Sequence, residues 1–170
     1  MANDSLEIRL ADVADTKAIA DVIREAFEPL KAEYTAAAFE AVTPDTQEVA
    51  GRFAEGPTWV ALLDGDLVAT VSTVVEPDRL YIRSMAVSPL SQGRGIGRRL
   101  IGVIEAHAAE NRFERLYLYT TLFLSGAISL YESCGFARVR ETTGEEWHGV
   151  PGLAMEKKIG RNIKQNVVGS

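Results

Sequence analysis

The residue types best suited to chemistry in this chain gather in AVSPLSQGRGIGRRLIGVIEAHA, residues 86–108. Gly93, Gly95 and Gly97 alternate and run straight into an apolar, helix-like segment, with Arg94, Arg98 and Arg99 around them. A helix N-terminus offers unpaired N–H groups and a partial positive charge, which suits a phosphate. Glycine lets such a ligand approach the backbone and permits positive φ. The pattern therefore predicts a site for a bulky anion. Two familiar phosphate loops do not fit it. A dinucleotide loop, GxGxxG, needs glycine where Arg98 stands, and it belongs to a first crossover rather than after a hairpin. A Walker loop needs a lysine behind its glycines, and residues 86–108 contain none.

The charge distribution agrees. The chain is acidic overall, with a formal net charge of −6, which argues against broad nucleic-acid binding. Yet no Asp or Glu lies between Asp78 and Glu105, while Arg79, Arg83, Arg94, Arg98 and Arg99 all do. The lone Cys134 excludes an internal disulfide, and with only His107 and His148 beside it there is no metal-ligand spacing, so no metal is expected. At 170 residues and 46% apolar, the chain suits one soluble domain with a genuine core. No apolar run approaches the roughly 18 residues of a membrane span, and the opening MANDSLEIRLAD lacks a signal-peptide core. A cytoplasmic protein off the membrane is the expectation.

The elements that must position the glycines can be read from periodicity. Leu6 to Leu10 is a short strand. Asp12 offers an N-cap, and Ile19, Val22, Ile23, Ala26 and Phe27 form a helical stripe that Pro29 should close. A short helix is expected over Tyr34 to Phe39, and Thr43-Pro44 reads as N-cap and N1 of another, running to about Ala54. Trp59 to Leu63 and Leu67 to Val75 flank Asp64-Gly65, a hairpin signal, and Leu80 to Val87 adds a third antiparallel strand. A helix with Leu100, Ile101, Ile104 and Ala108 on one face follows, then a strand from Leu116 to Phe123. Strand, helix, strand predicts a right-handed crossover with a parallel pair. Ser125 should cap a last helix that ends at Gly135, before strands at Ala137 to Thr142 and Gly152 to Lys157. Without repeats or a linker, residues 1–159 read as a single domain and 160–170 as a flexible C-terminal tail.

Two segments carry a resemblance. Gln92-Gly93-Arg94-Gly95-Ile96-Gly97 fits Q/R-x-x-G-x-G/A, and AISLYESCGF, thirty residues on, fits A-x-x-L/F-Y-x-x-x-G-F. From about Leu6 to Lys158 the chain resembles the GNAT superfamily of acetyl-CoA-dependent N-acetyltransferases. The resemblance implies an α/β (α+β) fold: a mixed, mostly antiparallel sheet of six or seven strands, flanked by helices, with its parallel pair splayed apart. It implies acetyl-CoA as cosubstrate, its pyrophosphate on the backbone of Gln92, Gly93, Arg94, Gly95 and Gly97, with Arg98 or Arg99 reaching the phosphates. The pantetheine arm would lie in the splay, near backbone groups of Ala86 and Val87. Ser125, where relatives often carry Asn, would touch the cosubstrate with a shorter reach. Tyr131 would be the general acid for the departing thiolate.

The base stays open. Relatives often place a glutamate on the strand before the signature, but Leu80-Tyr81-Ile82-Arg83-Ser84-Met85 has no carboxylate. Glu28, Glu33, Glu76, Glu141 and His148 are candidates, or the amine arrives neutral. Cys134, with no histidine close in sequence, reads as a packing residue rather than a nucleophile, and His107 as a packed histidine. Tyr34 and Trp147 could wall the acceptor side. Glu28, Glu33, Glu40, Glu141, Glu145 and Glu146 could form an acidic mouth for a cationic acceptor. The function expected is acetyl transfer to a primary amine of a small molecule or peptide. A non-catalytic acyl-CoA sensor and an enzyme using another acyl-CoA are the alternatives, and a homodimer is compatible with the resemblance.

Overall fold

The computed structural model describes residues 5–160; the expected tail, from residue 161 on, lies outside the described residues. Seven strands form one sheet: β1 (Leu6–Leu10), β2 (Thr58–Leu63), β3 (Asp66–Val75), β4 (Arg79–Val87), β5 (Arg115–Thr121), β6 (Ala137–Thr142) and β7 (Gly152–Lys158). Their order is β1-β2-β3-β4-β5-β7-β6, and every neighbouring pair is antiparallel except β4 and β5. The β2–β3 hairpin turns at Asp64 and Gly65, with φ of 50° and 87°, as the primed turn expected from Asp-Gly requires.

Five α-helices dress the sheet: α1 (Thr16–Phe27), α2 (Ala36–Val42), α3 (Thr46–Arg52), α4 (Ile96–Glu110) and α5 (Ser125–Ser133). Leu100, Ile101 and Ile104 of α4 and Ile128 of α5 pack on Leu80, Ile82, Leu116, Leu118 and Met155 on one face. Ile19, Val22 and Ile23 of α1, with Val49 of α3, cover Val60 and Ala86 on the other. Each such side chain contributes about 1.5–3 kcal/mol through burial, so this packing fixes where the ends of α4 and β4 come to rest.

As expected, α1 closes at Phe27, just before Pro29, which itself sits in a 3-10 segment, Glu28–Glu33, where its missing N–H is harmless. Two local expectations are corrected. The helix expected from Tyr34 begins at Ala36, because Thr35 accepts from the Ala38 N–H and leaves Tyr34 extended and buried. The cap of α3 is Asp45, not Thr43. Asp45 Oδ1 accepts from the Glu48 N–H at 2.8 Å and Glu48 Oε2 accepts from the Asp45 N–H at 2.9 Å, a reciprocal capping box. Thr43 instead donates back to the Phe39 carbonyl.

The parallel pair is paired along only part of its length. β4 and β5 are in register only from Arg79 opposite Arg115 to Ile82 opposite Leu118, and beyond that they part. The cause is visible on β4's other edge. Ser72 pairs with Arg83 and Thr70 with Ala86, so Ser84 and Met85 stand against the single Val71. That bulge puts Ser84 at φ 55°, a left-handed backbone for a non-glycine residue, and turns the strand away from its parallel neighbour.

Candidate active site

At the entrance to α4, Gly93 and Gly95 have φ of 80° and 74°, and a Cβ on either would meet no other atom within 4 Å. Their backbone conformation, not crowding, calls for glycine. Gly95 is the N-cap of α4 and has no side chain to cap with; among the described residues no side chain caps the first turn's N–H groups. Gln92 turns back, its Nε2 donating to the Val87 carbonyl at 3.2 Å, which ties the loop to the end of β4. Arg94 and Arg99 are exposed.

Gly97 is a glycine for a different reason. It is buried in α4, and a Cβ there would lie 3.0 Å from Leu130 Cδ2 and 3.6 Å from Met85 Sδ, so it sets the close approach of α4 to α5 and β4. Arg98 points along the same seam: its Nη2 donates to Ser133 Oγ at 2.6 Å and its Nη1 lies 3.7 Å from Cys134 Sγ. A reach to phosphates would require breaking those contacts. Ser125 is the first residue of α5 rather than its cap. Leu124 holds the N-cap position, because its N–H closes a turn on the Thr121 carbonyl, and no side chain caps the helix.

Where β4 and β5 part, a cavity of about 460 Å³ opens. Tyr131 of α5 lines it, together with Ile82, Ser84 and Met85 of β4, and Leu118 and Thr120 of β5. Tyr131 is 8% exposed and packs edge-on against Phe136 at 5.8 Å. No hydrogen bond joins its hydroxyl to another described residue. Burial, with Cys134 adding a little, pushes its phenol up to about 12. Tyr34 and Trp147 also line the cavity, their rings 6.5 Å apart and edge-on. Trp147 stands on the loop before β7, which Thr35 latches by donating from Oγ1 to the His148 carbonyl at 2.6 Å.

The charged lining differs from expectation. None of the proposed bases Glu28, Glu33, Glu76, Glu141 or His148 lines the cavity. Of the six glutamates expected as an acidic mouth, only Glu146 does, and it is committed: it accepts from the Thr143 N–H at 2.7 Å and from Arg140 Nη1 at 2.8 Å. Those two donors hold its carboxyl below the usual range. The other charged groups on the wall are Arg52, Arg83 and Arg140. Sequence reasoning counted Arg83 toward the phosphate cluster and missed Arg52 altogether. The available signal was Arg83 beside Tyr81, on a strand that shows no carboxylate.

Cys134 is half-buried outside the cavity lining, its carbonyl taking Lys157 Nζ at 2.7 Å. His107 packs edge-on against Trp59 at 5.2 Å, as a packed histidine should. Among the described residues no cluster of metal-ligating side chains occurs, and no helix is long and apolar enough to cross a membrane.

Comparisons with known proteins bear on this arrangement. The profile of the acetyltransferase (GNAT) family matches residues 17–136. An uncharacterized N-acetyltransferase of Escherichia coli K12, YjgM, is 31% identical over 157 residues, covering 87% of this chain and 92% of that protein. The fold matches the ribosomal-protein-S18-alanine N-acetyltransferase of Escherichia coli with a TM-score of 0.77 at 19% identity, over 95% of this chain and 98% of that one. It matches the PaiA N-acetyltransferase of Thermoplasma acidophilum, solved in complex with coenzyme A, with a TM-score of 0.78 at 20% identity, over 91% and 99%. At those identities the two structures speak for the fold alone.

Proposed function

The chain belongs to the GNAT acetyltransferase family and is an acyltransferase; from that premise we propose that it passes acetyl from acetyl-CoA directly to the primary amine of a small molecule. The observation that carries the reading is Tyr131: a buried phenol with an unbonded hydroxyl, in the cavity formed where the parallel strands part.

The groups present fit the cosubstrate. The uncapped first turn of α4, with Gly93 and Gly95 leaving its approach open, suits a pyrophosphate, and Arg94 and Arg99 add positive charge nearby. Beyond Ile82, β4 has lost β5 as a partner, so backbone groups around Met85 to Val87 can pair with an extended pantetheine arm as with a strand. Gly97 and Arg98 serve that site indirectly, by holding α4 against α5. Bound there, acetyl-CoA supplies an acyl carbon activated by its thioester.

The amine nitrogen attacks that carbon. As the C–N bond forms the C–S bond breaks, the sulfur takes the electron pair, and the nitrogen gives up its extra proton. Tyr131 donates a hydrogen bond to the departing sulfur. With its phenol at about 12 and a thiol near 8.5, full proton transfer from Tyr131 is uphill by about 5 kcal/mol. Stabilising the developing thiolate is therefore its main contribution, and the proton that ends on sulfur comes from the amine or water. An alkylammonium near 10.4 must first lose a proton, and the only carboxylate among the described residues of the wall, Glu146, is engaged by Arg140 and Thr143. Water takes that proton, and the enzyme draws on the neutral amine.

The test is titration of acetyl-CoA into the protein by calorimetry, then addition of amines while free thiol is monitored. Thiol release that depends on the amine supports the reading, with kcat/KM rising about tenfold per pH unit below the pKa of the amine. Tight acetyl-CoA binding with no thiol from any amine counts against amine acetylation; faster transfer from a longer acyl-CoA counts against acetyl as the group moved.

A further inference from the structure

We propose that the acceptor amine also carries a carboxylate, held in the cavity by Arg52 and Arg83; this rests on the amine-acetylating reading above. Arg83 lies on β4 immediately before the Ser84 bulge, and Arg52 ends α3 across from it; both line the cavity that contains Tyr131. Arg83 Nη2 pairs with Glu55, but its Nε is buried and has no hydrogen-bond partner. Arg52 Nη1 donates to Ser84 Oγ at 2.8 Å, and among the described residues no carboxylate forms an ion pair with Arg52. Glu55 and Glu48 favour the charge on Arg52 from a distance, but less than burial and Arg83 oppose it.

The local chemistry favours an incoming anion. Burial first, and then Arg83, destabilise the charge on Arg52. A partly buried cation beside another cation is costly to keep without an opposing charge. A carboxylate matches the guanidinium fork with two parallel hydrogen bonds and would also reach the unused Arg83 Nε–H. Arg140, on the same wall, already has Glu146 as its partner. The phosphates of the cosubstrate are not the anion in question, because none of Gln92, Gly93, Arg94 and Gly95 lines this cavity. At about 460 Å³ the space lies within the roughly 300–1,000 Å³ typical of small-molecule sites. An acceptor with its carboxylate on Arg52 and Arg83 and its amine toward Tyr131 would lie within that one space.

Two arms test this on the full chain. In the first, each α-amino acid, β-alanine and 4-aminobutyrate is compared with its carboxamide as acceptor, with thiol release as readout. The best acid should exceed its amide in kcat/KM by at least about tenfold. Arg52→Gln should bring that ratio toward one, mainly through KM, and Arg52→Lys should restore part of it, with acetyl-CoA affinity unchanged in both. A ratio near one in the wild-type protein, or a ratio that survives Arg52→Gln, overturns the proposal. In the second arm, N-acetyl amino acids and their amides are titrated by calorimetry into protein saturated with CoA, which needs no turnover. Acids that bind more tightly than their amides, and lose that advantage in Arg52→Gln, support the carboxylate site even if no amine releases thiol, an outcome that refutes only the amine-acetylating reading. No binding, or equal binding of acid and amide, overturns the site itself.

Discussion

Replacing Tyr131 by Phe removes one oxygen from the cavity and separates chemistry from packing. The hydroxyl makes no hydrogen bond to another described residue, and the ring, which does the packing against Phe136, is kept. The hydroxyl opens onto the cavity rather than being sealed without a partner, so its loss should change stability by less than about 1 kcal/mol, under some 2–4 °C in melting temperature for a chain of this size. Turnover should behave in the opposite way. A donor aimed at charge that develops in the transition state contributes about 10²–10³-fold, so kcat should fall by roughly 10² while acetyl-CoA affinity stays the same. The alkaline limb gives an independent check. The phenol is raised to about 12 in the folded chain, so the unfolded chain, near 10, loses its proton first. The contribution of Tyr131 is complete below about pH 10 and is lost as pH rises toward 12, by about 3 kcal/mol in all. The Phe variant should lack that loss, and its melting temperature should decline less between pH 10 and 11. Thiol release with an active amine, calorimetry with acetyl-CoA and thermal melts at two pH values read all of this. Equal turnover in the two proteins refutes the role assigned to Tyr131, and a melting temperature several degrees lower would show the hydroxyl to be structural.

Other substitutions probe the surrounding parts. Gly95→Ala forces a Cβ into a left-handed cap, so it should destabilise the chain by about 1–2 kcal/mol and weaken acetyl-CoA binding, read by melting and calorimetry. Arg98→Ala should lower the melting temperature slightly by freeing Ser133, yet change acetyl-CoA affinity less than twofold; a tenfold loss would make Arg98 a phosphate ligand after all. Asp15 takes both Arg9 Nη1 at 2.7 Å and Nη2 at 2.9 Å, and that bond is the main reason its carboxyl titrates lower than usual. Its stabilising effect is present above its ordinary pKa near 4 and disappears as pH falls through the lower folded value. Asp15→Asn should therefore narrow its stability gap to wild type below pH 4, as read by denaturant unfolding.

Much of the fold could be read from local pattern. The Asp64-Gly65 turn, the apolar stripe of α4 and the Gly135 stop of α5 are decided within a few residues, so periodicity and turn chemistry locate them. Caps were harder. Thr43, Asp45, Leu124 and Ser125 all lie near helix starts, and a shift of one or two residues depends on which competing hydrogen bond wins. The two motifs were legible because the glycine loop and the Tyr131 segment are each contiguous in the chain. Gly97 illustrates the limit: its type was visible, but the reason for it is Leu130, more than thirty residues away.

The sequence alone determined the α/β class, the glycine entrance to α4 and the placing of Tyr131 on the following crossover, since each depends on neighbours along the chain. Only the tertiary structure decided which charges line the cavity. Arg52 on α3, Arg83 on β4, Arg140 on β6 and Glu146 on the loop before β7 come from four separate segments, and their charges add up only once the bulge at Ser84 has opened the sheet between β4 and β5. Glutamates clustered in sequence suggested an acidic mouth. Side-chain direction put most of them elsewhere and left the wall cationic, because electrostatics acts through space and not along the chain.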